Sequence, residues 1–206
     1  MTMAMRIELL QVGYICENCY LAIHEDKREA LIIDPGDDAA RIIDKLDQWQ
    51  ATPVAILLTH GHYDHTGAMD ELREHYGIKV YASKEEEHVL ADRKLSLNSR
   101  ELHADEYWED GHCFEMAGFS GQMILTPGHT PGGACYYFQK DKVLFSGDSL
   151  FKESVGRTDF KEGSREALVT AIKEKIFVLP EDVAVYPGHM GATTIKHEKE
   201  FNPFID

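Results

Sequence analysis

Two facing β-sheets with helices on their outer faces, a four-layer αββα sandwich of the α/β class, is the fold that the sequence predicts. Three features carry that expectation. Two strand-rich halves succeed one another, each half ends in amphipathic helical segments, and the main histidine cluster falls directly after an apolar strand run. The 206 residues suffice for a substantial core. They contain neither a low-complexity linker nor an internal repeat strong enough to mark a duplication, so one domain over residues 1–206 is expected.

The first half opens with RIELLQVG, NCYLAIH and EALIIDPG, short runs bounded by polar or glycine-containing turns that predict an antiparallel sheet edge. In DDAARIIDKLDQWQ, Ile42, Ile43, Leu46 and Trp49 recur at helical spacing behind acidic residues suited to a helix N-terminus. PVAILLT reads as a buried strand, GAMDELREHYG as a helix closed by Gly77, and KVYAS as another strand. Lys84 to His112 is polar and charged and reads as helix plus irregular loop. The second half repeats the alternation with strands CFEMAGF, GQMILTPG, ACYYFQK and KVLFSGD, a helix over SREALVTAIKEKIF, and the strand VAVYPG.

A formal net charge of -15 without a basic run argues against nucleic acid and anionic membranes as partners. No apolar run has the length of a bilayer span, and the start MTMAMRIELL lacks the pattern of a secretory leader, so a cytoplasmic location is expected. Cys16, Cys19, Cys113 and Cys135 are too few and too scattered for a disulfide framework. Cys16 and Cys19 form C-x-x-C, but no second pair follows, and Cys19 sits in an alternating run that predicts core packing on a strand.

The chemistry concentrates in LLTHGHYDHTG. His60 and His62 are two apart, so an extended backbone points both the same way and lets them grip one ion. Asp64 and His65 follow a turn that can aim them at a second point nearby. Imidazole and carboxylate together suit zinc, iron or manganese. Four side chains cannot complete two metal shells, and three later segments supply candidates: TPGHT with His129, FSGDS with Asp148 and YPGHM with His189. Each sets a ligand type after glycine at the end of an apolar strand. Any one of them alone reads as a turn residue, and together they read as a metal site.

With these segments in view, the sequence resembles the metallo-β-lactamase superfamily, whose signature is T-H-x-H-x-D-H followed by separated His, Asp and His. Within it, IIDPG, THGHYDHTG, TPGHTPG, SGDSLF, GRTDF, YPGHMGATTI and NPF are similar to the small glyoxalase II-like hydrolases. The resemblance implies that His60, His62 and His129 hold one metal, that Asp64, His65 and His189 hold the other, and that Asp148 bridges them. β-Lactamases of this fold lack the bridging aspartate and are usually exported, and the RNA-processing members carry large added domains. Full-length glyoxalase II has a C-terminal helical extension that supplies basic residues for glutathione. Here 17 residues follow His189, which leaves the thiol carrier open.

Asp34 in IIDPG is either an acceptor for a metal-bound imidazole or a turn former before Pro35, and the resemblance favours the former. Arg157 in GRTDF is the candidate for binding a substrate carboxylate, with an internal pair to Asp159 as the competing role. Tyr63 and Tyr136 are candidates to touch substrate, with aromatic packing as the expected role of each, and His24, His75, His88, His103, His112 and His197 are expected to be ordinary surface or packed histidines.

The reading is a dinuclear metal hydrolase acting on a small-molecule thioester of a 2-hydroxy acid. Two divalent ions, zinc by expectation and iron or manganese as alternatives, would hold a bridging hydroxide that Asp64 orients. One rival is a persulfide dioxygenase, a related family that shares GRTDF and uses a single iron on the equivalents of His60, His129 and Asp148. The other is a metal-binding module without catalysis, against which seven His and Asp ligands with no cysteine count.

Overall fold

Period-2 alternation places the core. In the computed structural model, which describes residues 5–205, neighbouring side chains on one strand enter different layers. The first four residues, part of the start read above for a leader, lie outside the described residues. The first sheet collects β1 (Met5–Val12), β2 (Glu17–His24) and β3 (Glu29–Ile33), which pair antiparallel as expected. Helix α1 (Ala39–Trp49) then returns the chain to β4 (Thr52–Leu57). After the one-turn helix α2 (Tyr63–Thr66) and α3 (Met69–Tyr76) come β5 (Lys79–Ser83), a 3-10 turn, α4 (Glu87–Ala91) and β6 (Glu106–Trp108). The sheet order is β1-β2-β3-β4-β5-β6, parallel from β3 onward.

The second sheet holds β7 (Cys113–Met116), β8 (Phe119–Leu125), β9 (Ala134–Phe138) and β10 (Val143–Gly147). A small ribbon of β11 (Leu150–Phe151) and β12 (Ser154–Val155) follows, then α5 (Arg165–Ala171), β13 (Ala184–Pro187), β14 (Thr193–Thr194) and α6 (Ile195–Phe201). The order is β14-β13-β10-β9-β8-β7.

Leu31, Ile33, Ala55 and Leu57 face Tyr136, Phe138 and Phe145 between the sheets. Their neighbours Ile32 and Ile56 turn outward onto Ile42, Leu46, Met69 and Leu72 of α1 and α3. On the far side, Leu144 and Val185 meet Leu168, Ile172 and Ile195. Strands covered on both faces carry continuous apolar runs, which is why EALII and VLF read as they do. Cys19 is buried in the first outer layer, as its alternation predicts, and all four cysteines are free.

Some boundaries differ from the sequence reading. CFEMAGF is not one strand: Ala117 and Gly118 both take positive φ, 52° and 80°, and reverse the chain between β7 and β8. A Cβ on Gly118 would also lie 2.4 Å from the His24 ring, so only glycine fits. The helix expected over 164–177 is α-helical to Ala171 and continues as a π-helical turn through Ile176. Asp38, read as part of a favourable N-terminus for α1, makes no side-chain cap bond. Strands β6, β11, β12 and β14 and helix α6 were not anticipated.

Candidate metal centre

Four strand ends deliver the site. β8, β10 and β13 run in the same direction, through two antiparallel pairings and one parallel pairing, so they finish at one edge of their sheet. His129, Asp148 and His189 follow those three ends, and the cluster from His60 to His65 follows β4 in the facing sheet. His62 is still extended (φ -65°, ψ 153°) before α2 begins at Tyr63, and that single helical turn swings Asp64 and His65 to a different point. Glycine before His189 is enforced by crowding, since a Cβ on Gly188 would lie 2.5 Å from Asp148 Oδ1 and 2.6 Å from His65.

The seven predicted ligands come together as two sets. Ligand atoms of His60, His62 and His129 lie within 4.8 Å of one another, and so do those of Asp64, His65 and His189. His62 Nδ1 is 3.0 Å from His129 Nε2, near the roughly 3.3 Å separating two nitrogens bound at about 2.0–2.1 Å to one tetrahedral ion. Asp148 stands between the sets, with Oδ1 3.4 Å from His65 Nε2 and Oδ2 3.5 Å from His129 Nε2. Asp64 Oδ2 is 3.2 Å from His189 Nε2 and 3.5 Å from His65 Nε2.

His60 Nε2, His65 Nε2 and Asp148 Oδ1 are buried without a hydrogen-bond partner. Orphaned polar atoms converging in one interior are costly unless a cation satisfies them. The donor set therefore fits a pair of divalent ions.

Electrostatics agrees with the geometry. Burial and the surrounding imidazoles hold His60 well below its ordinary range and His62 at about 3, leaving neutral rings able to donate to an ion. Burial opposes charge on His65, yet Asp148 and Asp34 outweigh it and raise its pKa. Burial likewise opposes charge on Asp148, and His65 overcomes it. The same carboxylate field favours a cation among these groups.

Outside the seven, hydrogen bonds aim the rings. Asp34, whose role the sequence left open, accepts from Thr59 N and Oγ1 at 2.7 and 2.6 Å and faces His65 Nδ1 at 3.0 Å. His129 Nδ1 donates to the Arg157 carbonyl at 2.7 Å. Asn18 and Tyr20 of β2 both donate to the Pro187 carbonyl, tethering the loop that carries His189.

Glu86, fully buried, accepts from Gly61 N, Thr130 Oγ1 and Gly132 N, so one carboxylate ties the His60–His62 loop to the His129 loop. Glu17 is equally buried, 3.6 Å from His65 Nδ1, with neither oxygen hydrogen-bonded. The sequence reading passed over both glutamates, because KEEEH and ENCY give no sign of which acid is buried.

A cleft of about 540 Å³ opens over the centre, lined by His62, Asp64, His129, Asp148 and His189 together with Arg157 and Phe160. Tyr63, expected to pack, is 44% exposed at its mouth, because α2 turns the ring away from the core. Tyr136 does pack between the sheets and donates to Leu58 O. Arg157 forms the pair with Asp159 through two 2.7 Å hydrogen bonds. The other histidines stand apart from the two ligand sets: His24 against Phe119, His75 against Tyr76, His112 stacked on Trp108, and His88 and His197 paired with Glu162 and Glu153.

Sandwiched sheets whose strand ends gather five histidines and two aspartates define a metal-dependent hydrolase fold. The chain belongs to the metallo-beta-lactamase superfamily, whose family model matches residues 17–189. It is 35% identical over 210 residues to the hydroxyacylglutathione hydrolase GloC of Haemophilus influenzae, covering 98% of this chain and 99% of that one. The crystal structure of the B3 metallo-beta-lactamase BLEG-1 superposes with a TM-score of 0.90 at 40% identity, covering 97% of this chain and 99% of the other. That of TTHA1623 in a di-iron-bound form superposes at 0.83 with 32% identity, covering 96% and 99%.

Proposed function

We propose that the chain is a dinuclear hydrolase of thioesters of small 2-hydroxy acids, acting as a single domain in the cytoplasm. The observation that carries this reading is the position of Asp148, whose Oδ1 faces His65 while Oδ2 lies between His129 of the first set and His189 of the second. His60, His62 and His129 would hold one ion, Asp64, His65 and His189 the other, with Asp148 shared. When bound, the ions supply a water acidified toward neutral pH and positive charge for the carbonyl oxygen.

The chain's own groups do the rest. Asp64 borders the cleft with one oxygen toward His189, so it can orient the attacking water while holding an ion. Asp34, Thr59 and the Arg157 carbonyl fix the rings of His65, His60 and His129, turning the other nitrogen of each ring toward the ligand sets. Arg157 reaches the cleft and, with its charge paired to Asp159, is the group proposed to meet the hydroxyl of the acyl portion. A thiolate leaves readily, its pKa being about 8.5, so no strong general acid is required. The similarity to GloC supports a thioester, and that to the di-iron TTHA1623 keeps iron beside zinc as the metal.

A second reading is supported by Arg157 and Phe160 of GRTDF lining the cleft beside His129 and Asp148. It is oxygen chemistry on persulfides at one iron held by His60, His129 and Asp148. It leaves Asp64, His65 and His189 without a task, and we rank it second.

The test is elemental analysis of the purified protein with a parallel screen of thioesters, persulfides and β-lactams. Two metals per chain with thioester turnover is the expected result. One iron with oxygen uptake transfers the assignment to the second reading, and firmly held metal without turnover to a binding module.

A further inference from the structure

The wall of the cleft above the centre is apolar. Phe151, Val155 and Phe160 line it, and Ile15, Leu97 and Met190 crown it, 45%, 45% and 55% exposed. Three half-exposed apolar side chains converging on one concave mouth make a surface for ligand contact. Among the described residues that line this cleft, Arg157 is the one cation. Its Nε and Nη2 are both committed to Asp159, and its guanidinium lies 4.3 Å above the Phe160 ring. The arginine holds the Asp159 carboxyl down to about 2, so the pair is fully ionised and neutral overall. Two further cations, Arg93 and Lys94, border a separate depression with Asp92 and Glu101.

We propose that the leaving thiol accommodated by this cleft is uncharged and apolar, such as an alkyl amide thiol, and not a peptide thiol bearing free carboxylates. A carboxylate arriving at Arg157 either displaces Asp159 or sits beside it. In both cases a like charge remains next to the ligand and cancels the attraction. An apolar carrier instead covers Ile15, Leu97 and Met190 and draws on their removal from water. The proposal rests on the thioesterase reading for its reaction, and on the cleft alone for its binding preference.

Binding separates the two. Calorimetry of the metal-loaded protein with two thioethers that cannot be hydrolysed, S-butyl-N-acetylcysteamine and S-butylglutathione, isolates the carrier. The neutral ligand is expected to bind about tenfold tighter or more. Asp159→Asn leaves Arg157 unopposed, so it should tighten S-butylglutathione several-fold and leave the neutral thioether unchanged. Leu97→Lys, which adds a cation to the rim, should shift the preference the same way. Equal or tighter binding of S-butylglutathione by the unaltered protein overturns the proposal, as does indifference of that ligand to both substitutions. Turnover of lactoyl thioesters of the same two thiols reads the reaction separately. If neither is cleaved while the binding preference holds, the thioesterase reading fails and the carrier preference stands.

Discussion

Asp148 is the residue whose chemistry is hardest to replace. A carboxylate can touch two ions at once and partly neutralise both, whereas asparagine offers one neutral oxygen and an NH₂ that does not donate to metal. Asp148→Asn should therefore lose at least one metal equivalent and most turnover, while its unfolding temperature falls no further than removal of the metals from the unaltered protein lowers it, because the side chain keeps its shape. Metal content, turnover and unfolding measured on one preparation check this, and two retained metals with near-normal turnover would sink the bridged arrangement. His62→Ala should lower metal content and activity together, since it removes one of three donors around the first point. His112→Ala removes only a ring stacked on Trp108 and should leave both nearly unchanged. At this scale the sequence was informative, because each candidate ligand sits in a strand-end segment with its own turn residues. It was silent on Glu17 and Glu86, since nothing local distinguishes a buried acid from an exposed one.

Between elements, Glu86 joins the loop after β4 to the loop after β8. Burial raises its carboxyl from 4.5 to about 7 despite three donors. The native state then binds this proton more tightly than the unfolded chain does. The stabilisation is complete below about pH 4.5 and is lost as pH rises through about 7, amounting to about 3 kcal/mol. Glu86→Gln is neutral throughout, so its stability should decline less than that of the unaltered protein between pH 5 and 8. Urea unfolding of equally metal-loaded proteins at the two pH values measures the difference, and parallel pH dependences would refute the assignment. The elements themselves were legible where apolar residues repeat over several turns or strand positions, as in α1 and β3. Helix α6 escaped because IKHEKEF buries only Ile195 and Glu198, too few positions to set a period.

For the molecule as a whole, a chain of net charge -15 gathers Glu17, Asp34, Asp64 and Asp148 around one interior. Cations there would offset mutual repulsion as well as complete the ligand sets. Removing them with a chelator should lower the unfolding temperature by roughly 10 °C, the equivalent of about 3–4 kcal/mol of linked binding. Zinc, iron and manganese added back singly should restore it to different extents and rank the metals. An unchanged unfolding temperature in protein shown by elemental analysis to be metal-free would exclude a stabilising ion pair at this centre.

The sequence by itself determined the alternation of strands and helices, the turns that end them and the donor types placed at those ends, because each depends on neighbours a few residues apart. Only the tertiary structure decided which acids are buried, that CFEMAGF reverses at Ala117 and Gly118 beside the His24 ring, and that Arg157 is committed to Asp159. It also brought Asp64 within 3.2 Å of His189, 125 residues away. Burial and electrostatic field are relations between elements packed against each other, and a local pattern carries no record of which partner will arrive.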